Sequence, residues 1–65
     1  MSITWIDTDG SSQSLSRDCM IALMQIQKSV YRNKVTSQHR EDGRSYTVYF
    51  SKIGLGDQGH IEVAL

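Results

Sequence analysis

Few residues in this chain could carry catalytic or metal-binding chemistry, and their number and spacing argue against both. The 65 residues include one cysteine, Cys19, and two histidines, His39 and His60. A structural zinc site built from Cys and His alone needs four ligands, one more than this chain has. No G-x-x-x-x-G-K-[ST] or G-x-S-x-G run marks a phosphate-binding loop or an activated serine. We therefore expect no enzymatic activity, no metal and no cofactor.

Three glycines, Gly54, Gly56 and Gly59, match the spacing of dinucleotide-binding loops, G-x-G-x-x-G. That chemistry requires a helix that begins at the third glycine. Only His60–Leu65 follows, and it alternates as a strand does. Residues 53–61 also resemble the glycine-rich loop of protein kinases, but the chain has no room for the other kinase motifs. The glycines therefore predict a flexible hairpin loop over residues 52–59.

The first half of the chain predicts one strand and one helix. Ile3–Ile6 is β-branched and aromatic, which favours a short strand, and residues 7–14 read as a turn and a polar loop. A serine within residues 12–16 is expected to cap a helix of about five turns over Leu15–Arg32. Asn33 is the expected exit residue, since asparagine tolerates left-handed backbone geometry.

An Asp-Gly pair between two alternating runs predicts a β-hairpin with a two-residue type I′ turn at Asp42-Gly43. In this register His39 lies opposite Tyr46 and Val35 opposite Phe50. One face then carries Val35, Ser37, His39, Tyr46, Val48 and Phe50. The other face, expected in solvent, carries Thr36, Gln38, Arg40, Thr47 and Tyr49. We expect His39 to be a partly buried structural histidine rather than a general base.

Together these elements predict a single small α+β domain over residues 1–65. Its order is β-α-β-β-β, with one amphipathic helix packed on a mostly antiparallel sheet. The helix and the following hairpin with Asp42-Gly43-Arg44-Ser45 resemble half of the phage head–tail connector family. That family continues with a second helix, whereas the glycines here predict a loop and a strand.

The predicted helix has two apolar stripes. The first, expected to face the sheet and to bury the Cys19 thiol, comprises Leu15, Cys19, Ala22, Leu23, Ile26 and Val30. The second comprises Met20, Met24 and Tyr31. Together they span about 200°, more than one small sheet can cover, so the second stripe is either further core or a partner surface.

These features favour a small non-catalytic protein-interaction or accessory module. A domain of this size has a core that supplies only about 3–5 kcal/mol, so a partner would stabilise it. We expect a homo-oligomer, or docking to a larger protein, through Met20, Met24 and Tyr31. The last strand, expected to be an exposed edge, adds Ile61 and Val63. The longest apolar run, residues 19–24, is too short to cross a bilayer, and no signal peptide is visible, so we expect a cytoplasmic protein without membrane contacts.

The alternative function is nucleic-acid binding. Seven basic and seven acidic side chains cancel overall, but the positive charge is concentrated in the middle of the chain. A phosphate- or RNA-facing sheet surface would comprise Arg32, Lys34, Arg40 and Lys52, together with Gln38, Thr47 and Tyr49.

Overall fold

The chain folds into one helix and five strands in the computed structural model, which describes all 65 residues. The elements are β1 (Ser2–Ile6), β2 (Ser12–Ser14), α1 (Arg17–Ser29), β3 (Lys34–His39), β4 (Ser45–Lys52) and β5 (Gly56–Ala64). The predicted α+β fold and the order of its elements are confirmed. The structure adds the three-residue strand β2 inside the predicted polar loop. The single helix is not long and apolar enough to cross a membrane.

The five strands form one antiparallel sheet in the order β2-β1-β5-β4-β3. The C-terminal strand β5 is therefore central, and the expectation that it forms an exposed edge is wrong. β1 pairs with the far side of β5, with Ile3 opposite Val63. This pairing joins the two ends of the chain, which an alternating pattern in sequence cannot indicate.

The core lies on one face of the sheet and consists of five side chains, which are Ile3, Val48, Phe50, Ile61 and Val63. They come from the three inner strands, so each is covered by strands on both sides and by the helix above. Trp5 packs against Phe50 with ring centroids 5.8 Å apart. The opposite face of the sheet has no covering layer.

Helix α1 begins as the serine-rich segment predicts and ends earlier than expected. The Ser16 hydroxyl oxygen accepts a hydrogen bond from the Cys19 N–H (3.1 Å), which satisfies one of the free donors of the first turn. The helix ends at Ser29 rather than at Arg32. The left-handed residue at the exit is Arg32, with φ +59°, and not Asn33 as predicted.

Each predicted stripe of α1 divides between the core and the solvent, with Leu15 and Leu23 of the first and Met20 and Met24 of the second against the core. Met20, Leu23 and Met24 pack against the core, whereas Cys19 and Ile26 are exposed. Ala22 and Val30, also from the predicted core stripe, are exposed as well. The helix is rotated because Gln27, four residues after Leu23, is buried on the sheet side. Cys19 is therefore an exposed thiol, not a core residue.

The β3–β4 hairpin keeps the predicted register but not the predicted turn. His39 lies opposite Tyr46 and Val35 opposite Phe50. The Arg40 N–H donates to the Ser45 carbonyl, so the loop comprises the four residues 41–44. Only Gly43 has positive φ, +69°, whereas a type I′ turn would need it at both central residues.

Two side chains of this hairpin differ from their expected burial. Thr47, expected in solvent, is buried because it lies between Gln38 and Glu62 of the neighbouring strands. His39 is exposed rather than partly buried, since β3 is an edge strand. Its ring still contacts Tyr46, with centroids 5.5 Å apart.

The predicted loop over residues 52–59 is mostly strand. β4 continues to Lys52 and β5 begins at Gly56, which leaves a turn of residues 53–55, the hairpin tip. The Leu55 N–H donates to the Lys52 carbonyl (3.0 Å), and Gly54 has φ +84°. No helix follows the β3–β4 hairpin. The chain therefore differs from the phage head–tail connector family at this position, as the glycines predict.

Candidate binding end of the molecule

Two cavities open at the same end of the molecule, where the helix exit, the start of β3 and the hairpin tip come together. The larger, the tip cavity, has a volume of about 360 Å³, and the smaller, the basic cavity, about 300 Å³. Asn33 and Lys52 line both. This end therefore concentrates the concave surface of the protein.

The tip cavity has apolar walls and a polar rim. Its apolar residues are Trp5, Leu23, Tyr31 and Leu55. The polar residues are Asp7, Gln27, Asn33, Lys52 and Gln58. Such a combination of apolar walls with a few polar groups is typical of binding pockets.

The position of the Trp5 ring depends on Gly59. This glycine is buried within β5 with φ +107°, and a Cβ placed there would lie 2.4 Å from Cη2 of Trp5. The indole therefore lies directly over the strand backbone, in space that any other residue would fill. Gly59 thus positions one wall of the tip cavity, which the flexible-loop interpretation of the glycines missed.

A buried amide pair contributes to the cavity linings, Gln27 to the tip cavity and Asn33 to both. Asn33 Nδ2 donates to Oε1 of Gln27 (2.6 Å), and the Asn33 N–H donates to the Gln27 carbonyl (2.8 Å). Both side chains are more than nine-tenths buried. Oδ1 of Asn33 has no hydrogen-bond partner, which is unusual for a buried acceptor. The amide pair fixes the helix exit against the sheet.

The hairpin tip presents apolar side chains to solvent. Ile53 is fully exposed and Leu55 is 69 % exposed. Tyr31, on the facing wall of the tip cavity, is 53 % exposed. Apolar groups gathered at one exposed place on a small protein commonly mark an interaction site.

The basic cavity has three cations and no acidic residue. Arg32, Lys34 and Lys52 line it, together with Asn33, Ser51 and Ile53. Lys34 and Ser51 are register partners in the β3–β4 ladder, so their side chains are direct neighbours. None of the three cations lies within 4.0 Å of a carboxylate, since the only such contacts in the structure join Arg40 and His60 to Glu62.

Arg40 and Tyr49 of the predicted nucleic-acid surface lie elsewhere. Arg40 follows β3 at the opposite end of that strand, with Nη2 4.0 Å from Oε1 of Glu62. Tyr49 contacts His60 on the uncovered face of the sheet, with ring centroids 5.7 Å apart. His60 Nε2 is in turn 3.5 Å from Glu62 Oε1. The structure therefore brings together three of the four predicted cations.

Of the predicted partner-binding residues, only Tyr31 is an exposed side chain at this end. Ile61 and Val63 are at most 1 % exposed in the central strand, so no partner can reach them. Met20 and Met24 pack against the core. The sequence reasoning missed Ile53 and Leu55, although two aliphatic residues around a turn glycine are an unusual feature for a solvent-exposed loop.

The side chains do not assemble a metal centre, since no group of three or more His, Cys, Asp or Glu residues could hold an ion. No known protein family matches the chain, and no curated protein or solved structure shows significant similarity to it.

Proposed function

We propose that the protein is a small non-catalytic protein-interaction module that binds its partner through the tip cavity and the hairpin tip. The observation that carries the proposal is the exposure of Ile53 and Leu55 beside a cavity with apolar walls. These side chains would lose contact with water on binding, and each fully buried aliphatic side chain contributes about 1.5–3 kcal/mol.

The tip cavity suits one apolar side chain of a partner. Trp5 and Tyr31 offer large, stiff aromatic surfaces, and residues of these two types dominate binding energy at many interfaces. The polar rim with Asp7 and Gln58 can orient the partner backbone. The tip itself can insert into a corresponding cavity of the partner.

A second copy of this chain is the partner to test first, because each copy carries both a projecting tip and a cavity. Two copies related by a two-fold axis would exchange them reciprocally, as isologous interfaces do. This arrangement replaces the predicted pairing of C-terminal edges, which the central position of β5 rules out. It would also add buried apolar surface to a domain with a small core.

Sedimentation velocity over a wide concentration range tests this proposal on the wild type, Leu55→Lys and Leu65→Lys. The two leucines are a matched pair, since both are 69 % exposed, but Leu65 lies at the other end of β5 and lines neither cavity. We expect Leu55→Lys alone to weaken association. Emission from Trp5, the only tryptophan, should change with association because its ring lines the tip cavity.

A wild type that stays monomeric at the highest concentration would refute self-association. The partner is then a different protein, and a displayed peptide library can be selected on the wild type and counter-selected on Leu55→Lys. The module proposal requires peptides that alter Trp5 emission and bind Leu65→Lys as they bind the wild type. Recovery of none would overturn it.

Nucleic-acid binding is the second candidate function, and the clustering of Arg32, Lys34 and Lys52 is the observation that favours it. Affinity that rests on phosphate contacts falls steeply with salt. Titration of labelled single- and double-stranded oligonucleotides at low and moderate salt therefore tests it. Absence of binding at low salt would remove this candidate.

A further inference from the structure

The basic cavity adjoins the tip cavity, with which it shares Asn33 and Lys52, and Ile53 of the hairpin tip is its only apolar lining residue. Three segments build it: the helix exit with Arg32, the first residue of β3, Lys34, and the end of β4, with Ser51 and Lys52. The hydroxyl of Ser51 and the amide of Asn33 add polar groups among the cations. Each of the three segments supplies a cation.

Electrostatics favours an anion in this cavity. Like charges that converge on one site repel each other, and here no carboxylate of the chain offsets the repulsion. A bound anion would do so through charge-assisted hydrogen bonds. The Arg32 guanidinium offers a planar fork of donors that matches two oxygens of one phosphate group.

The backbone conformation of Arg32 is independent support for a functional role of this residue. Its φ of +59° makes it the only non-glycine residue of the chain with positive φ. Glycine is the residue that stabilises this position after a helix, because a Cβ is unfavourable there. Such strained residues cluster at functional sites. The chain therefore holds an arginine in the lining of a cationic cavity in a backbone conformation that arginine rarely adopts.

We propose that the basic cavity binds a phosphate monoester dianion, either on a small phosphorylated molecule or at the 5′ end of a nucleic-acid strand. Three cations around one cavity suit a doubly charged terminal group, whereas a strand of phosphodiesters calls for cations spread along a track. Arg40, which would extend such a track, lies at the other end of β3 and is close to Glu62. This inference does not rest on the protein-interaction proposal.

The binding experiment uses phenyl phosphate and inorganic phosphate as small probes, monitored by calorimetry at low salt. Two oligonucleotides of one sequence, with a 5′-phosphate and with a 5′-hydroxyl, form the second arm. If both small probes bind, a phosphate group without a nucleic-acid strand is sufficient for binding. Preference for the 5′-phosphorylated strand over both small probes would identify the strand end as the source.

Arg32→Gln and Arg40→Gln form the matched pair of variants, since each removes one arginine charge. We expect Arg32→Gln to weaken phenyl phosphate binding about 10-fold and Arg40→Gln to leave it unchanged. Arg32→Gly should lose affinity equally while its melting temperature stays the same or rises, which separates binding from folding. Leu55→Ser, which removes an apolar side chain from the tip cavity without adding charge, should leave phosphate binding intact because Leu55 does not line the basic cavity.

Three results would overturn the inference. One is the absence of phenyl phosphate binding at low salt. Another is an equal loss in the Arg32 and Arg40 variants, which would show attraction by the overall charge rather than by the cavity. The third is equal affinity for the two oligonucleotides, which would assign the cations to internal phosphodiesters and support the nucleic-acid candidate.

Discussion

Strand β4 takes part in two hairpins whose turns each contain a glycine with positive φ but differ in how side chains anchor them. In the β3–β4 turn, the Asp42 carboxylate accepts hydrogen bonds from the Arg44 N–H (2.9 Å) and from the N–H and hydroxyl of Ser45. The turn between β4 and β5 has no such side-chain anchor within residues 53–55. It has glycine at position 54 and exposed aliphatic residues on either side.

The difference separates a turn held by its own side chains from a turn that leaves apolar side chains in solvent. The β3–β4 turn satisfies its polar groups locally, so its stability depends on the chain alone. The β4–β5 hairpin has three glycines with positive φ, Gly54, Gly56 and Gly59, against one in the β3–β4 turn, and Trp5 packs over Gly59. Its exposed tip therefore adds little to the stability of the fold.

The largest expected effect comes from Gly59→Ala, which should remove most of the free energy of unfolding. The new methyl group would collide with the Trp5 ring and approach the Ile6 carbonyl oxygen to 3.0 Å, at a φ that alanine rarely adopts. Overpacking and backbone strain together cost about 3 kcal/mol or more. Urea denaturation followed by Trp5 fluorescence measures the loss. A native-like unfolding midpoint would contradict the placement of the ring.

Gly54→Ala is the control for backbone strain alone and should cost about 1–2 kcal/mol. Gly54 also has positive φ, +84°, but a Cβ there meets no atom within 4 Å. The difference between the two alanine variants in free energy of unfolding isolates the steric part. If both variants lost the same stability, the contact between Trp5 and Gly59 would have no energetic role.

At the other turn, Asp42→Asn should lower the melting temperature at neutral pH and reduce its dependence on pH. Hydrogen bonds from the Arg44 N–H and then from the Ser45 hydroxyl hold the pKa of Asp42 below its usual 3.8. A lowered pKa stabilises the folded state above the unfolded pKa, and this contribution is lost as the pH falls through the folded pKa. Melting curves between about pH 2 and pH 7 test this. Wild type and variant should converge at the acid end, and a constant gap would contradict the assignment.

The smallest effect is expected at the hairpin tip, where Ile53→Ser should change the free energy of unfolding by less than about 0.5 kcal/mol. The Ile53 side chain is fully exposed and therefore contributes little to the folded monomer. Chemical denaturation at low protein concentration, where association is negligible, measures it. A larger loss would show that the tip packs against the chain itself.

The sequence predicts the helix, the register of the β3–β4 hairpin and the fold class, because these depend on local periodicity. It does not predict which apolar stripe of α1 faces the sheet. Gln27 lies in the buried stripe, and only its partner Asn33, six residues later and beyond the helix, makes that burial favourable. A periodicity argument treats Gln27 as a surface residue and therefore misplaces the side of the helix that faces the sheet.

The sheet order and most of the binding end also lie beyond local patterns. β1 and β5 are at opposite ends of the chain, so their pairing, which buries Ile61 and Val63, is a contact without a local signal. The basic cavity was partly predictable, since Arg32 and Lys34 are near neighbours in sequence. Its third cation, Lys52, joins them only through the pairing of β3 with β4.

The buried amide pair also has a kinetic consequence, in how the protein exchanges its amide protons with deuterated solvent. Gln27 belongs to the last part of α1, and Asn33 immediately precedes the edge strand β3. Opening the helix end therefore breaks the link that holds the start of β3, so the two segments should lose protection in one shared opening event. Edge strands commonly fray independently, whereas here the rate at which β3 frays is tied to the helix.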